Sequence, residues 1–134
     1  MSKVDLTWAG GEHTFCLPIE QLRALQQRCD AGPAWVLSRL ANSQWMVDDV
    51  VSTIRLGLEG GGLSKAEATR LVKAHVEDQP LTLSVKTASV ILMAALYGVE
   101  DDPVGEAPAV AEKPIRRRSK KANGGSASST KPEQ

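Results

Sequence analysis

Three consecutive glycines, Gly60-Gly61-Gly62, interrupt the run LGLEGGGLSKAEATRLV, Leu56 to Val72. The residues on either side have helical spacing, and glycine inside a helix costs about 1 kcal/mol against alanine. A phosphate-cradling loop does not fit. The Walker spacing needs a lysine directly after its last glycine, whereas Leu63 and Ser64 follow here and Lys65 comes too late. The dinucleotide fingerprint also fails, because the preceding segment has a helical rather than a strand pattern. A joint between two helices fits better. Glycine past a helix end accepts positive φ without strain. Ser64 is a good N-cap, and Glu67 three residues on predicts a capping box. Together with Gly57, these residues form the structural motif of the chain. Three glycines where one would cap the helix imply either a close backbone approach or a moving hinge.

The flanking pattern predicts a mainly α (α+β) fold: a short N-terminal β-hairpin packed on a bundle of about five helices, with a disordered C-terminal tail. Val4, Leu6 and Trp8 alternate with polar residues, as do His13, Phe15 and Leu17, around Ala9-Gly10-Gly11-Glu12. Two period-two runs about a Gly-Gly turn read as a hairpin. A lone hairpin is marginal in water, so Trp8, Phe15 and Leu17 are expected to pack on the helices. Pro18 suits the start of the first helix, with Ile19, Leu22, Leu25 and Cys29 as its stripe. Pro33 opens a second helix carrying Trp35, Val36, Leu37 and Leu40. A third spans about 47–58, with Val47, Val50, Val51, Ile54 and Leu58 inward, and Asp48 and Asp49 favoured by the helix dipole. The fourth spans about 65–76 and the fifth about 83–97. The fifth is apolar nearly all round, which marks either a central core helix or a face for a partner.

The apolar pattern stops at Gly98. The Pro-, Ala-, Ser- and Lys-rich remainder cannot bury enough surface to offset chain entropy. The expected organisation is a helical domain over 1–100 and a disordered basic tail over 101–134. Net charge is zero, but residues 1–105 carry −4 and residues 106–134 carry +4. The run Arg116 to Lys121, RRRSKK, could meet phosphate through counterion release. No aromatic residue interleaves with it for base stacking, and the acidic remainder speaks against nucleic acid as a partner.

Catalysis and metal binding find little support. His13 and His75 lie on different elements without ligand-spaced neighbours. Cys16 and Cys29 lack a paired spacing and read as reduced thiols. No nucleophile elbow supports a triad, and adjacent Asp48 and Asp49 point apart on a helix. No catalytic, cofactor-binding or metal residue is assigned, and no cofactor is expected. The N-terminus lacks the apolar region of a signal peptide, and no apolar run approaches a membrane span. A cytoplasmic protein without membrane contact is expected.

The order of segments then carries a resemblance. The hairpin leads to Pro18-Ile19 and LRAL, then to Trp45 and VDDVVSTIRLGLEGGGLSKAEATRLV, then to VEDQPL and ASVILMAALYG. Over roughly residues 3–98 this resembles the tail assembly chaperones of gene-transfer agents and siphophage-like tail clusters. It is sharpest from Asp48 to Val72, where a W-x-x-x-D-V-type start leads into I-R-x-G-L-x-G-G-G and S-x-x-E-A. The resemblance implies a non-enzymatic protein that coats the amphipathic helical segments of a tape measure protein. It further implies self-association along that protein, contact with tail tube subunits and absence from the finished particle. Exposed apolar stripes aggregate unless covered, and a helical protein covers them by helix-in-groove contact. Trp35, Trp45, Ile91, Leu92 and Leu96 are the candidate groove residues, although large apolar residues also simply fill cores. Two alternatives stand beside this one. A structural tail tube or adaptor subunit would remain in the particle and is expected to be strand-rich. A regulator would bind nucleic acid through the basic tail.

Overall fold

The computed structural model describes residues 2–99. The expected disordered tail, 101–134, lies outside the described residues. Strands β1 (Val4–Trp8) and β2 (Gly11–Phe15) form an antiparallel hairpin. Helices α1 (Ile19–Cys29), α2 (Pro33–Ala41), α3 (Val47–Gly60), α4 (Lys65–Val72) and α5 (Val85–Tyr97) follow. A π-helical turn, Lys73–Glu77, closes α4, and a 3₁₀ turn, Leu81–Ser84, opens α5. The mainly helical α+β architecture expected from the sequence is the one observed.

The hairpin register pairs Val4 with Phe15, Leu6 with His13 and Trp8 with Gly11. Period two puts Trp8, Phe15 and Leu17 on one side, and all three are buried. Trp8 meets Phe15 edge-on, with ring centroids 5.8 Å apart. The π-helical turn, closed by the Asp78 amide donating to the Lys73 carbonyl at 2.9 Å, brings His75 edge-on to the same indole at 6.1 Å. The expected fourth helix over 65–76 thus changes pitch after Val72, where one extra residue per turn aims His75 at the hairpin.

The central helix is α3, not the more apolar α5. It packs on β2, α1, α4 and α5, and every residue from Asp49 to Leu58 is buried. The polar side chains of Thr53 and Arg55 find partners inside the fold. Thr53 Oγ1 donates to the Asp49 carbonyl at 2.6 Å. Arg55 and Glu59 pair one turn apart at 2.7 Å, both mostly buried. Helix α1 runs antiparallel to α3: Gln21 Nε2 donates to the Leu56 carbonyl at one end, and Cys29 Sγ–H to the Asp48 carbonyl at the other. By contrast α5 buries Ala88, Ile91, Leu92 and Ala94 but exposes Met93 and Tyr97. Ile19 and Val47, expected inward, are 61% and 58% exposed. Each is the first residue of its helix and lies beyond the turns that the neighbouring elements cover.

The glycine run lies where α3 ends against the second strand. The helix continues through Gly60 rather than stopping at Leu58. A Cβ on Gly60 would overlap the Cys16 carbonyl, and one on Gly61 would overlap the Thr14 carbonyl. Only Gly62 has positive φ, at 122°. The Gly62 amide donates to the Glu59 carbonyl and the Leu63 amide to that of Leu58, both at 3.1 Å, the paired bonds of a Schellman ending. Close backbone approach therefore accounts for Gly60 and Gly61, and the left-handed turn for Gly62. Ser64 Oγ accepts from the Glu67 amide at 3.1 Å and starts α4. The capping box is half formed, because the Glu67 carboxylate turns to Arg70 one turn on rather than back to the Ser64 amide.

Gly61→Ala is expected to lower stability by about 1–3 kcal/mol or more through forced backbone displacement. Gly62→Ala and Ser64→Ala should each cost about 1 kcal/mol, the first through φ strain and the second through the lost cap. Denaturant melts order the three, and a Gly61→Ala loss smaller than that of Gly62→Ala contradicts the close-approach account.

Candidate interaction surface

The strongest electrostatic feature was not visible in the sequence pattern. Asp49, the third residue of α3, is completely buried. Arg39 on α2 grips it with both forks: Nε to Oδ2 at 2.8 Å and a terminal nitrogen to Oδ1 at 2.7 Å. The same terminal nitrogen donates to the Cys29 carbonyl at the end of α1 at 3.3 Å. Asp49 Oδ2 also accepts from the Met46 amide at 2.8 Å, which fixes the entry into α3. One guanidinium thus ties together the end of α1, the body of α2 and the start of α3. The carboxylate read as a dipole partner is a buried anchor, while its neighbour Asp48 is exposed. Two hints were present. Asp49 occupies the third helical position, from which a carboxylate reaches back to the cap. It also lies four residues before Thr53, within the buried stripe.

Cys29 belongs to this cluster and is chemically quiet. Burial, first of all, and the nearby negative charges of Asp49 and Asp48 push its thiol from 9.0 up to about 12, against the opposing influence of Arg39. The reactive species is the thiolate, so this environment disfavours it. The guanidinium of Arg39 is held protonated by the hydrogen bond to Asp49. His13 Nδ1 accepts from the Trp8 indole N–H at 2.8 Å. Among the described residues, no group of three or more His, Cys, Asp and Glu side chains could hold a metal ion, and no helix is long and apolar enough to cross a membrane.

The five candidate contact residues separate. Trp35, in the first turn of α2, is 61% exposed. Trp45 and Leu96 are half-buried against the core. Ile91 and Leu92 are at 1% and 0% exposure and cannot form a docking groove. Ile91 lies over Gly57, where a Cβ would come within 3.0 Å of its Cγ2 and 3.2 Å of Phe15 Cδ2. These two side chains fill the space that Gly57 leaves. The exposed large apolar side chains are instead Trp35 with Ile19, Met46, Val47, Leu83, Met93, Tyr97 and Val99. The pattern alone did not find Met46 or Met93, because Met46 precedes the first turn of α3 and Met93 lies in a run that is apolar on nearly every side.

The charge balance also shifts. Residues 2–99 hold nine Lys/Arg and ten Asp/Glu, so the described part is almost neutral. Glu100, Asp101 and Asp102 supply the rest of the acidic excess and lie outside it.

A family model described as "Phage tail tube protein, GTA-gp10" matches residues 1–98. The chain belongs to this family of gene-transfer-agent and phage tail proteins. No curated protein and no solved structure matches it. The family description overturns the expectation of a chaperone that coats a tape measure protein and leaves before the particle is complete. It agrees instead with the alternative of a structural tail subunit. Strand-rich structure was expected of a tube subunit; among the described residues the hairpin supplies the only strands, and the match runs through the helices.

Truncating Asp49 to alanine leaves the Arg39 charge and the Met46 amide without their partner, and should cost about 3–5 kcal/mol. Denaturant melts of Asp49→Ala, Arg39→Met and the double variant measure the coupling. The thiol adds a pH dependence. Between pH 9 and about 12 the unfolded chain ionises Cys29 while the folded protein keeps its proton, so stability falls as pH rises through that window. Melting temperatures across it should decline less steeply for Cys29→Ala.

Proposed function

We propose that this chain is a structural tube or adaptor subunit of a phage-type or gene-transfer-agent tail, retained in the finished particle and acting without catalysis. The family match over residues 1–98 carries this reading. Self-association and contact with other tail proteins are the activities it implies, and they belong to residues 1–100, with 101–134 as a basic appendage.

The exposed apolar side chains support contact with protein partners. Interface energy concentrates in a few large residues, tryptophan above all, and Trp35 is 61% exposed. Burying one such side chain contributes about 1.5–3 kcal/mol before association costs. Contacts of this kind tolerate salt, whereas phosphate binding weakens steeply with it. The thiol environment adds support from the other side, since Cys29 is held as an unreactive thiol.

Quantitative mass spectrometry of purified particles tests the reading. The chain is expected at a fixed copy number alongside the other tail proteins; its absence from intact particles refutes a retained subunit. Trp35→Ala should change the stability of the isolated protein by no more than about 0.5 kcal/mol, as for an ordinary surface site. It should nevertheless reduce the number of copies incorporated.

A further inference from the structure

The two edges of the hairpin are treated differently. Trp8 and Gly11 flank the two-residue turn, so Trp8, Leu6 and Val4 spend their amides and carbonyls on the ladder. The backbone groups of the alternate residues point away from it. On β2 that outer edge is covered. The Cys16 amide donates to the Gly57 carbonyl at 3.0 Å, and the Thr14 and Cys16 carbonyls press on Gly61 and Gly60. On the opposite edge the outward groups belong to Asp5 and Thr7 of β1 and to Lys3 just before its first residue, and all three side chains are exposed. Among the described residues none of their amides or carbonyls is bonded to another backbone group.

We propose that the outer edge of β1 pairs antiparallel with the same edge of a second copy, in the register that sets Lys3 opposite Asp5 of the other copy. Charge selects the occupant and the register. Pairing centred on Val4 places each Lys3 across from an Asp5, twice by symmetry, with the two half-buried Val4 side chains meeting at the axis. Opposite charges directly across a strand pair stabilise it, and like charges destabilise it. Sliding the strand by one two-residue step sets Asp5 against Asp5 and loses both attractions. Neither Lys3 nor Asp5 is in an ion pair among the described residues. Asp5 is steadied by the Thr14 hydroxyl, which donates to Oδ1 from the neighbouring strand on the same face. An unprotected edge invites indiscriminate pairing, and alternating charges restrict it to one register. With β2 covered by α3, β1 carries the one open strand edge among the described residues, so the contact closes as a two-fold dimer and does not propagate by itself.

This inference deepens the self-association proposed above, and its test is made on the isolated full-length protein. A negative result therefore removes this interface without deciding whether the chain resides in particles. Sedimentation equilibrium should show a concentration-dependent dimer. Lys3→Glu and Asp5→Lys should each raise the dimer dissociation constant on the order of tenfold, since two cross-strand pairs turn repulsive. Combining the two changes should restore it, because the charges are then exchanged rather than matched. Thr7→Lys, outside the paired charges, serves as the control for net charge and should leave the constant within about twofold. Circular dichroism establishes that each variant folds. A protein monomeric at every concentration overturns the proposal. So does a dimer indifferent to both single reversals, or one that the double reversal fails to restore.

Discussion

The fold depends on how closely two backbones approach at the end of α3. The carbonyls of Thr14 and Cys16 lie directly on Gly61 and Gly60, a distance that any side chain at either position would prevent. From this contact the hairpin obtains its position. The Cys16 amide bonds into the helix end at Gly57, and Phe15 descends beside Gly57 to meet Ile91. A hairpin alone is marginal; laid on a glycine floor, it buries Trp8, Phe15 and Leu17 and becomes part of the core. The glycines thereby act as packing residues, with Gly62 alone serving as the turn.

At the other end of α3, charge does the joining. Asp49 is removed from water, and the cost of doing so is offset by a bidentate guanidinium and a backbone amide. Buried pairs of this kind add less net stability than their geometry suggests, but removing one partner is severe. Three chain segments meet at this pair, so it also specifies how α1, α2 and α3 are set against one another. The two ends of the same helix are thus fixed by opposite means, by absence of side chains at one and by a fully satisfied ion pair at the other.

How much of this was legible in the sequence follows from where the information lies. Local signals were readable: Pro33 at the start of α2, Ser64 at the start of α4 and the alternation around Ala9 and Gly10 are each decided within a few residues. The choice of central helix was not. Valine, serine and arginine in α3 look amphipathic, and only the pairing of Arg55 with Glu59 and of Arg39 with Asp49 makes full burial possible. Composition favoured α5, yet a helix rich in apolar residues can still end with Tyr97 in solvent. Of the candidate contact residues, Ile91 and Leu92 were misplaced for the same reason: which face of α5 meets Gly57 is a tertiary fact. Function followed a similar course. The motif from Asp48 to Val72 located the family, but its glycines and caps concern helix packing, so they could not separate a temporary companion of the tail from a part of it.

The β2–α3 contact also sets an order of events during synthesis. The first strands leave the ribosome well before the glycines that receive them, and the Gln21 to Leu56 bond beside them already spans 35 residues. Until Gly61 emerges, the hairpin has nothing to lie on, and closing so long a loop carries an entropic cost before any burial offsets it. The two strands therefore stay uncommitted until α3 has followed them, and their apolar face is uncovered in the meantime. The timing of α3, rather than the final stability of the fold, therefore decides how long that face remains open.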